Sequence, residues 1–424
     1  MPMTRSTTRR SFLQAGGAAA AAVAAGALLP RRSFAADPTF KVGVVTSLSG
    51  EDVFGGNLTR RGYDFWAETI NAKGGVEVGG KRYKVEMFYG DDQSSPATGA
   101  DAAARLISEN EVEVIMGPYT SGVTLAVAPI CEKYQVPMIA GSAESPNVWK
   151  KKPQNTFGMI PSVDLTAGKS LGVILEQADP KPTSIYVVGA NEPFSKEAAE
   201  GFQQGGKDLG LNELGFDLVP PNADLTPTVT TIAAKNPDIV AVGAHEEVLI
   251  NFVKACKSLN FAPKALIMHY GVTNPAFAQE LGKDADGVLG ITVWTPDVPF
   301  KDDLFGTAPQ FDEAFYNRYG SHPDYTAAAC AVSGLVFQVA AGKLGKAPPL
   351  SADDRQQLTE ILAATDLQTV YGPVKFAQEG DHFHDNVSPT PVLMQIQGGE
   401  SKVVGPEGAK KVAMVYPLPA WSQR

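Results

Sequence analysis

The sequence predicts an α/β protein made of two doubly wound halves, each around a mainly parallel sheet. Three observations predict it. Short apolar runs bounded by Gly, Pro and Asp alternate with helical segments of about ten to fifteen residues, the pattern of parallel βαβ units. The alternation stops at Lys150–Pro161 and then restarts. The chain has 424 residues, 44% hydrophobic and 19% charged, with 42 Gly and 31 Pro. That is ordinary globular composition, long enough for two or three domains with cores of their own, and it excludes disorder, collagen and a disulfide-stapled miniprotein.

In the first half the buried-strand run Lys41–Val45 leads through a Ser/Gly loop into a helix near Asn57–Ala72. The strand Lys84–Tyr89, a helix Ala97–Ser108, the strand Val112–Met116, a helix Thr124–Tyr134 and the strand Pro137–Ala140 follow. After the break, strands at Ser184–Val188, Phe216–Val219, Asp238–Val242 and Ala265–His269 interleave with helices near Ser195–Leu209, Thr226–Lys235, Val248–Ser258 and Pro275–Leu281. Val288–Trp294 reads as a further strand. Helices near Phe311–Tyr319, Tyr325–Leu344 and Ala352–Thr365 come next. Two β runs, Val374–Ala377 and Val392–Gln397, and a Pro-rich tail close the chain.

The first 36 residues read as an address. Thr8-Arg9-Arg10-Ser11-Phe12-Leu13 precedes a weakly apolar Ala/Gly run from Ala15 to Leu29, then Arg31, Arg32 and small residues at Ser33-Phe34-Ala35-Ala36. These are the parts of an export signal cleaved near Ala35 or Ala36, and the paired arginines resemble the twin-arginine class. Fifteen apolar residues would reach only ~22 Å, short of a ~30 Å hydrocarbon core, and no other stretch reads as eighteen apolar residues long. The mature protein is therefore expected to be soluble and periplasmic. Those residues also hold five arginines and no acid, so without them the net charge moves from −10 to −15. Such a body repels phosphate backbones and anionic headgroups, which excludes nucleic acid and membrane surfaces as partners. Cys131, Cys256 and Cys330 are far apart in apolar helical contexts and read as buried thiols, with one incidental bridge as the alternative.

Ligands of open α/β sheets bind outside the carboxyl ends of the strands. The loops there include Ser47–Gly50, Asp91–Ser95, Gly117–Gly122 and Gly141–Ser145 in the first half. In the second they include Asn191–Ser195, Ala244–Glu247 and His269–Thr273. Small hydroxyls and Gly just before helices either cap the helix or present N–H groups to an anion. Phe54, Tyr119, Phe194, Tyr270, Trp294 and Tyr325 fall in or beside these loops, as core packing or as the walls of a cleft. Enzymatic patterns are missing: no Gly-x-Gly-x-x-Gly after the first strand, no phosphate-cradling Gly-x-x-x-x-Gly-Lys-Ser/Thr, no Gly-x-Ser-x-Gly. His382-Phe383-His384-Asp385 has metal-ligand spacing but reads as an exposed hairpin loop, and the cysteines are too scattered for zinc. No cofactor or metal is expected.

Several stretches carry a resemblance: Ile70–Val76 followed by Tyr89–Pro96, Val44–Gly50, Met116–Ser121, Val136–Ile139, Tyr371–Phe376 and the final Tyr416–Trp421. In these the chain, from about Phe40 to Gln397, resembles the periplasmic solute-binding proteins of branched-chain amino-acid ABC importers, the leucine/isoleucine/valine-binding type. The resemblance implies the type I periplasmic binding protein fold, two lobes joined by three hinge crossovers near Met159–Ser162, Thr292–Trp294 and Leu367–Gly372. It divides the chain into a signal (1–36), a first lobe (37–160 with 294–370), a second lobe (161–293 with 371–397) and a tail (398–424). It implies a monomeric clamp that closes on a small molecule and docks on an inner-membrane permease.

By the same resemblance a carboxylate grip falls on Ser121, Ala143 and Glu144, and aromatic walls on Phe54 and Phe194. Three positions depart from the pattern. Glu144 stands where a Thr hydroxyl is usual, Tyr270 stands where an acid would pair with the ligand ammonium, and His245-Glu246 replaces a loop Tyr. Burying an α-ammonium without its acid costs several kcal/mol. The ligand is thus either an amino acid held by a relocated acid, Glu144 or Glu246, or an aromatic carboxylate or amide. A ligand sensor of the same fold is the other class of function, and a secreted hydrolase would need a nucleophile–base pair or metal that the sequence does not display.

Overall fold

All but Lys41 of the run Phe40–Thr46 (β1) is buried, as a strand covered on both faces requires. The computed structural model describes residues 38–424, so the expected export signal lies outside the described residues. After β1 come α1 (Val53–Ala72), a small hairpin of β2 (Val76–Val78) and β3 (Lys81–Tyr83), and β4 (Val85–Asp91). β4 runs parallel to β1, with Phe40 opposite Val85 and Thr46 opposite Asp91. Then follow α2 (Pro96–Ser108), β5 (Val114–Met116), α3 (Ser121–Tyr134), β6 (Met138–Ala140), the short α4 (Pro146–Trp149) and β7 (Thr156–Gly158). The five strands form one parallel sheet in the order β4-β1-β5-β6-β7.

Beyond residues 159–162 a second sheet begins. It draws on α5 (Ala167–Gln177), β8 (Ser184–Ala190), α6 (Pro193–Asp208), β9 (Asn212–Val219), α7 (Thr226–Lys235) and β10 (Ile239–Gly243). α8 (Glu246–Ser258), β11 (Ala265–His269), α9 (Pro275–Leu281) and β12 (Leu289–Thr292) continue it. The chain then returns to the first sheet's helices. A hairpin of β13 (Lys301–Asp302) and β14 (Gly306–Thr307) precedes α10 (Ala308–Tyr319), α11 (Tyr325–Leu344) and α12 (Ala352–Ala363). A second hairpin, β15 (Asp366–Thr369) with β16 (Gly372–Lys375), follows. Finally β17 (Val392–Gln397) pairs antiparallel with β12, and β18 (Glu400–Gly405) antiparallel with β17. The second sheet has the order β18-β17-β12-β11-β10-β8-β9.

Several expectations need correction. The third crossing does not fall at Leu367–Gly372. Those residues form the β15–β16 hairpin, Asp385 bridges Gly158 at the edge of the first sheet, and the chain enters the second sheet only at Val392. Residues 371–386, expected in the second lobe, therefore stay with the first. His382–Asp385 does lie in a hairpin-like loop, closed where Phe376 bridges Asn386 antiparallel and the His384 N–H donates to the Ala377 carbonyl at 2.7 Å, but the expectation that it is exposed fails. His384 and Asp385 are buried, and the Asp385 carboxylate accepts the Ser162 N–H at 3.0 Å and its hydroxyl at 2.7 Å. That contact ties the third connection to the first. The stretch 398–424 is not merely a tail, since β18 is an edge strand and Trp421 donates to the Phe261 carbonyl at 2.8 Å. α11 is long and apolar enough to cross a membrane, contrary to expectation, but it is a core helix with fifteen of its residues buried. It lies tightly on α1, where a Cβ at Gly334 would meet the Trp66 ring at 1.9 Å. The three cysteines are buried and unpaired.

Candidate functional site

The loops at the carboxyl ends of β5 and β6 supply one wall of a small cavity. Thr120 caps α3, its hydroxyl accepting the Val123 N–H at 3.3 Å, and this sets Tyr119 just outside the helix and Ser121 at its first residue. Ser121 Oγ accepts the backbone N–H groups of Glu144 and Ser145, each at 3.1 Å, which ties the two loops together. α1 approaches the same loops through Gly55, where a Cβ would lie 2.0 Å from the Tyr119 ring. Only a glycine leaves that ring its place.

Side chains from the carboxyl ends of the second sheet's strands meet this wall. The Tyr119 hydroxyl donates to Glu246 Oε2 at 3.0 Å and lies 3.2 Å from His245 Nδ1. Glu144 accepts the Tyr325 hydroxyl at 2.7 Å on one oxygen and stands 3.1 Å from His269 Nε2 on the other. The Tyr270 hydroxyl donates to Asp324 Oδ2 at 2.8 Å, and Asn274 donates to the second Glu246 oxygen at 2.8 Å. Both glutamates are buried, and these partners satisfy both oxygens of each.

Between them lies a cavity of about 10 Å³ lined by Tyr119, Ser121, Ser142, Glu144, Phe194, His245, Tyr270 and Thr326. That holds about one water, so a ligand of amino-acid size enters only if the walls part. Outside it, with His245 as a shared wall, is a chamber of about 280 Å³ bordered by Glu51, Asp52, Glu192, Ser195 and Glu247.

Six of the eleven residues nominated from sequence thus line one cavity: Tyr119, Ser121, Glu144, Phe194, His245 and Tyr270. Glu246 and Tyr325 stand one hydrogen bond behind it, and Ala143 is buried in the loop between them. Two nominees fall elsewhere. Phe54 is 51% exposed near the start of α1 and lines neither space. Trp294 is buried at the second crossing, its indole N–H donating to the Val370 carbonyl at 3.0 Å. It borders a separate cavity of about 550 Å³ with Thr273, Thr295 and Asp324.

Asp52, Glu192, His269 and Asp324 were not nominated. Asp324 was readable as the cap of α11, directly before a long apolar run. Glu192 lies in the strand-end loop Asn191–Ser195, but nothing in the sequence sets it apart or marks Asp52, because the acids gather only when the two sheets face each other.

Burial pushes Asp52 up to about 6, with Glu246, Glu192 and Glu51 adding to it and His245 opposing. Burial likewise pushes Asp324 up to about 6, against the hydrogen bonds that it accepts. Burial works against a charged His245, yet Glu192, Asp52, Glu246 and Glu144 outweigh it and hold that imidazole above its ordinary value. Burial and the adjoining carboxylates raise the hydroxyls of Tyr119, Tyr270 and Tyr325, which keeps them as neutral donors.

Two α/β sheets with a polar, aromatic-walled cavity between their strand-end loops define a binding protein of the bilobal type. The family model described as "Periplasmic binding protein" matches residues 39–400, and the chain belongs to that family. Its fold is therefore the type I periplasmic binding protein fold, and the family name assigns it to the periplasm. Leu/Ile/Val-binding protein homolog 8 of Brucella suis is similar, 25% identical over 92% of this chain and 96% of its own length. Among solved structures, the chain resembles the branched-chain amino acid transporter substrate-binding protein LivJ of Streptococcus pneumoniae in complex with isoleucine. The TM-score is 0.74 and the identity 22%, over 87% of this chain and all of that one. A solute-binding protein of an ABC transporter from R. palustris, in complex with benzoate, matches with a TM-score of 0.72 and 20% identity over 88% of this chain and 98% of that one.

Proposed function

We propose that this protein is the extracytoplasmic substrate-binding component of an ABC importer, which takes an amino acid or a related small organic molecule between its two lobes and delivers it to an inner-membrane permease. The observation that carries the reading is the convergence of Tyr119, Ser121, Glu144, Phe194, His245 and Tyr270, drawn from both sheets, on one cavity. Hydrogen bonds that span the two sheets, such as Tyr119 to Glu246, are interactions that a hinge motion makes or breaks, and a ligand favours the closed arrangement by its differential affinity for it. The lobes in this reading are residues 38–158 with 295–386 and residues 163–292 with 392–424. The protein acts as a monomer without catalysis. The Arg9-Arg10 pair and the weak Ala/Gly core support export by the twin-arginine route.

A thermal-shift screen of the mature protein tests the reading, with amino acids, aromatic acids, amides and amines as the panel. A ligand at 100 times its Kd adds about 2.7 kcal/mol. At roughly 0.8 kcal/mol per degree for a chain of this size, that raises Tm by about 3 °C. Hits should disappear in Phe194→Ala. A panel with no hit, or hits untouched by that substitution, would remove the cleft as the binding site.

A further inference from the structure

We propose that the ligand is a carboxylate-free amine, a primary alkylamine or short diamine, whose ammonium group lodges at the cleft mouth beside Asp52. This rests on the function proposed above and narrows it. The inner end of the cavity is unsuited to a carboxylate. The N–H groups of Glu144 and Ser145 are spent on Ser121 Oγ, and the Glu144 carboxylate already stands there, held by Tyr325 and His269. A second carboxylate beside it would meet like charge at short range in a poorly solvated space. Among the described residues, no Lys or Arg borders either the inner cavity or the outer chamber.

The acids of the site differ in how free they are. Glu144 and Glu246 each have both oxygens bonded to neighbours. Glu192 caps α6 by accepting the N–H groups of Phe194 at 3.1 Å and Ser195 at 2.6 Å, and stands 3.7 Å from His245 Nε2. Neither relocated acid expected from the sequence is therefore open to a ligand. Asp52 is. It sits at the start of α1, where its carboxylate caps no helix N–H, and it borders the outer chamber with the exposed Glu51 and Glu247. A second, independent feature points into the same chamber. Ser195 is fully buried, its hydroxyl has no hydrogen-bond partner among the described residues, and it borders the space. A hydroxyl oxygen that can accept and an unengaged carboxylate on the walls of one chamber suit an ammonium with N–H groups to donate. Even with His245 and His269 both charged, the acids around the cleft leave a negative excess, which also draws a cation inward from solution.

Isothermal titration of the mature protein with 1,4-diaminobutane, butylamine, isoleucine and benzoate tests the proposal. One or both amines should bind, with the two carboxylate-bearing compounds at least 100-fold weaker. Asp52→Asn should lower amine affinity at least tenfold while its far-UV circular dichroism stays that of wild type. Glu280→Gln, which removes an exposed acid on α9 paired with Lys254, should bind as wild type and so separates a local contact from net charge. Tighter binding of isoleucine or benzoate than of either amine, or an Asp52→Asn protein with wild-type amine affinity, would overturn the proposal and leave the cleft as a ligand site. Absence of binding by all four compounds would overturn the proposal too. The proposed function falls only if the wider thermal-shift panel is also without a hit.

Discussion

Replacing Ser121 by Ala separates two roles that the sequence alone conflates. As a ligand grip, Ser121 would lose affinity on truncation and little stability. The structure gives its oxygen a different task, accepting the N–H groups of Glu144 and Ser145 at 3.1 Å each in a site where Ser121 is 2% exposed. Truncation strands both donors away from water, and an unmet buried donor costs about 1–3 kcal/mol. With some relaxation of the loop after β6, the sum is about 2–4 kcal/mol. At roughly 0.8 kcal/mol per degree, Tm should fall by about 3–5 °C, and the urea midpoint should drop with an unchanged slope. A Ser121→Ala protein within ~0.5 kcal/mol of wild type would refute the reasoning and return Ser121 to a purely ligand-facing role.

Three further outcomes follow from the same geometry. Glu144→Gln should destabilise by about 1–3 kcal/mol in urea unfolding, since one acceptor of the pair held by Tyr325 and His269 becomes a donor; an unaltered midpoint would mean that those contacts carry no stability. Asp52 binds a proton more tightly when folded, at about 6, than when unfolded, near 3.8. Its contribution to stability therefore falls as pH rises between those values, by up to about 3 kcal/mol, so Asp52→Asn should match wild type near pH 4 and exceed it at pH 7; a gain that is the same at both pH values would exclude this cause. Thiol titration in denaturant without reductant should count three free sulfhydryls per chain, whereas the native protein should react slowly, because burial raises all three thiols and keeps them from reagent. A count of one would reveal a bridge.

Most of the fold was readable because its signals are local. The strands of both sheets that are buried on two faces, such as Ala265–His269 and Ile239–Gly243, are continuous apolar runs, and their helices carry caps and apolar stripes. What went unread lacks those marks. β7 has three residues, and β18 reads Glu-Ser-Lys before its apolar part because it is an edge strand with one solvated face. The third crossing was misplaced because the β run expected at Val374–Ala377 is not a second-sheet strand: β16 pairs only with β15, a choice that depends on which partner is within reach. In the site, strand-end position singled out Tyr119, Ser121 and His245, and the fold brings these three onto one cavity. It misjudged Phe54, because α1 turns that ring to solvent, and Trp294, which fills the second crossing.

By itself, the sequence determined the class: alternating runs, a repeated half, an acidic body and the loops in which a ligand site must lie. Those follow from periodicity and composition, which are properties of neighbours along the chain. Only the tertiary structure decided which acids are spent and which are free. Glu144 and Glu246, the two acids that the chain offers, are consumed by tyrosine and histidine partners more than a hundred residues away and by Asn274, 28 residues on, and Asp52 is left open at the mouth. A carboxylate's availability depends on what surrounds it in three dimensions, and burial makes its partners obligatory.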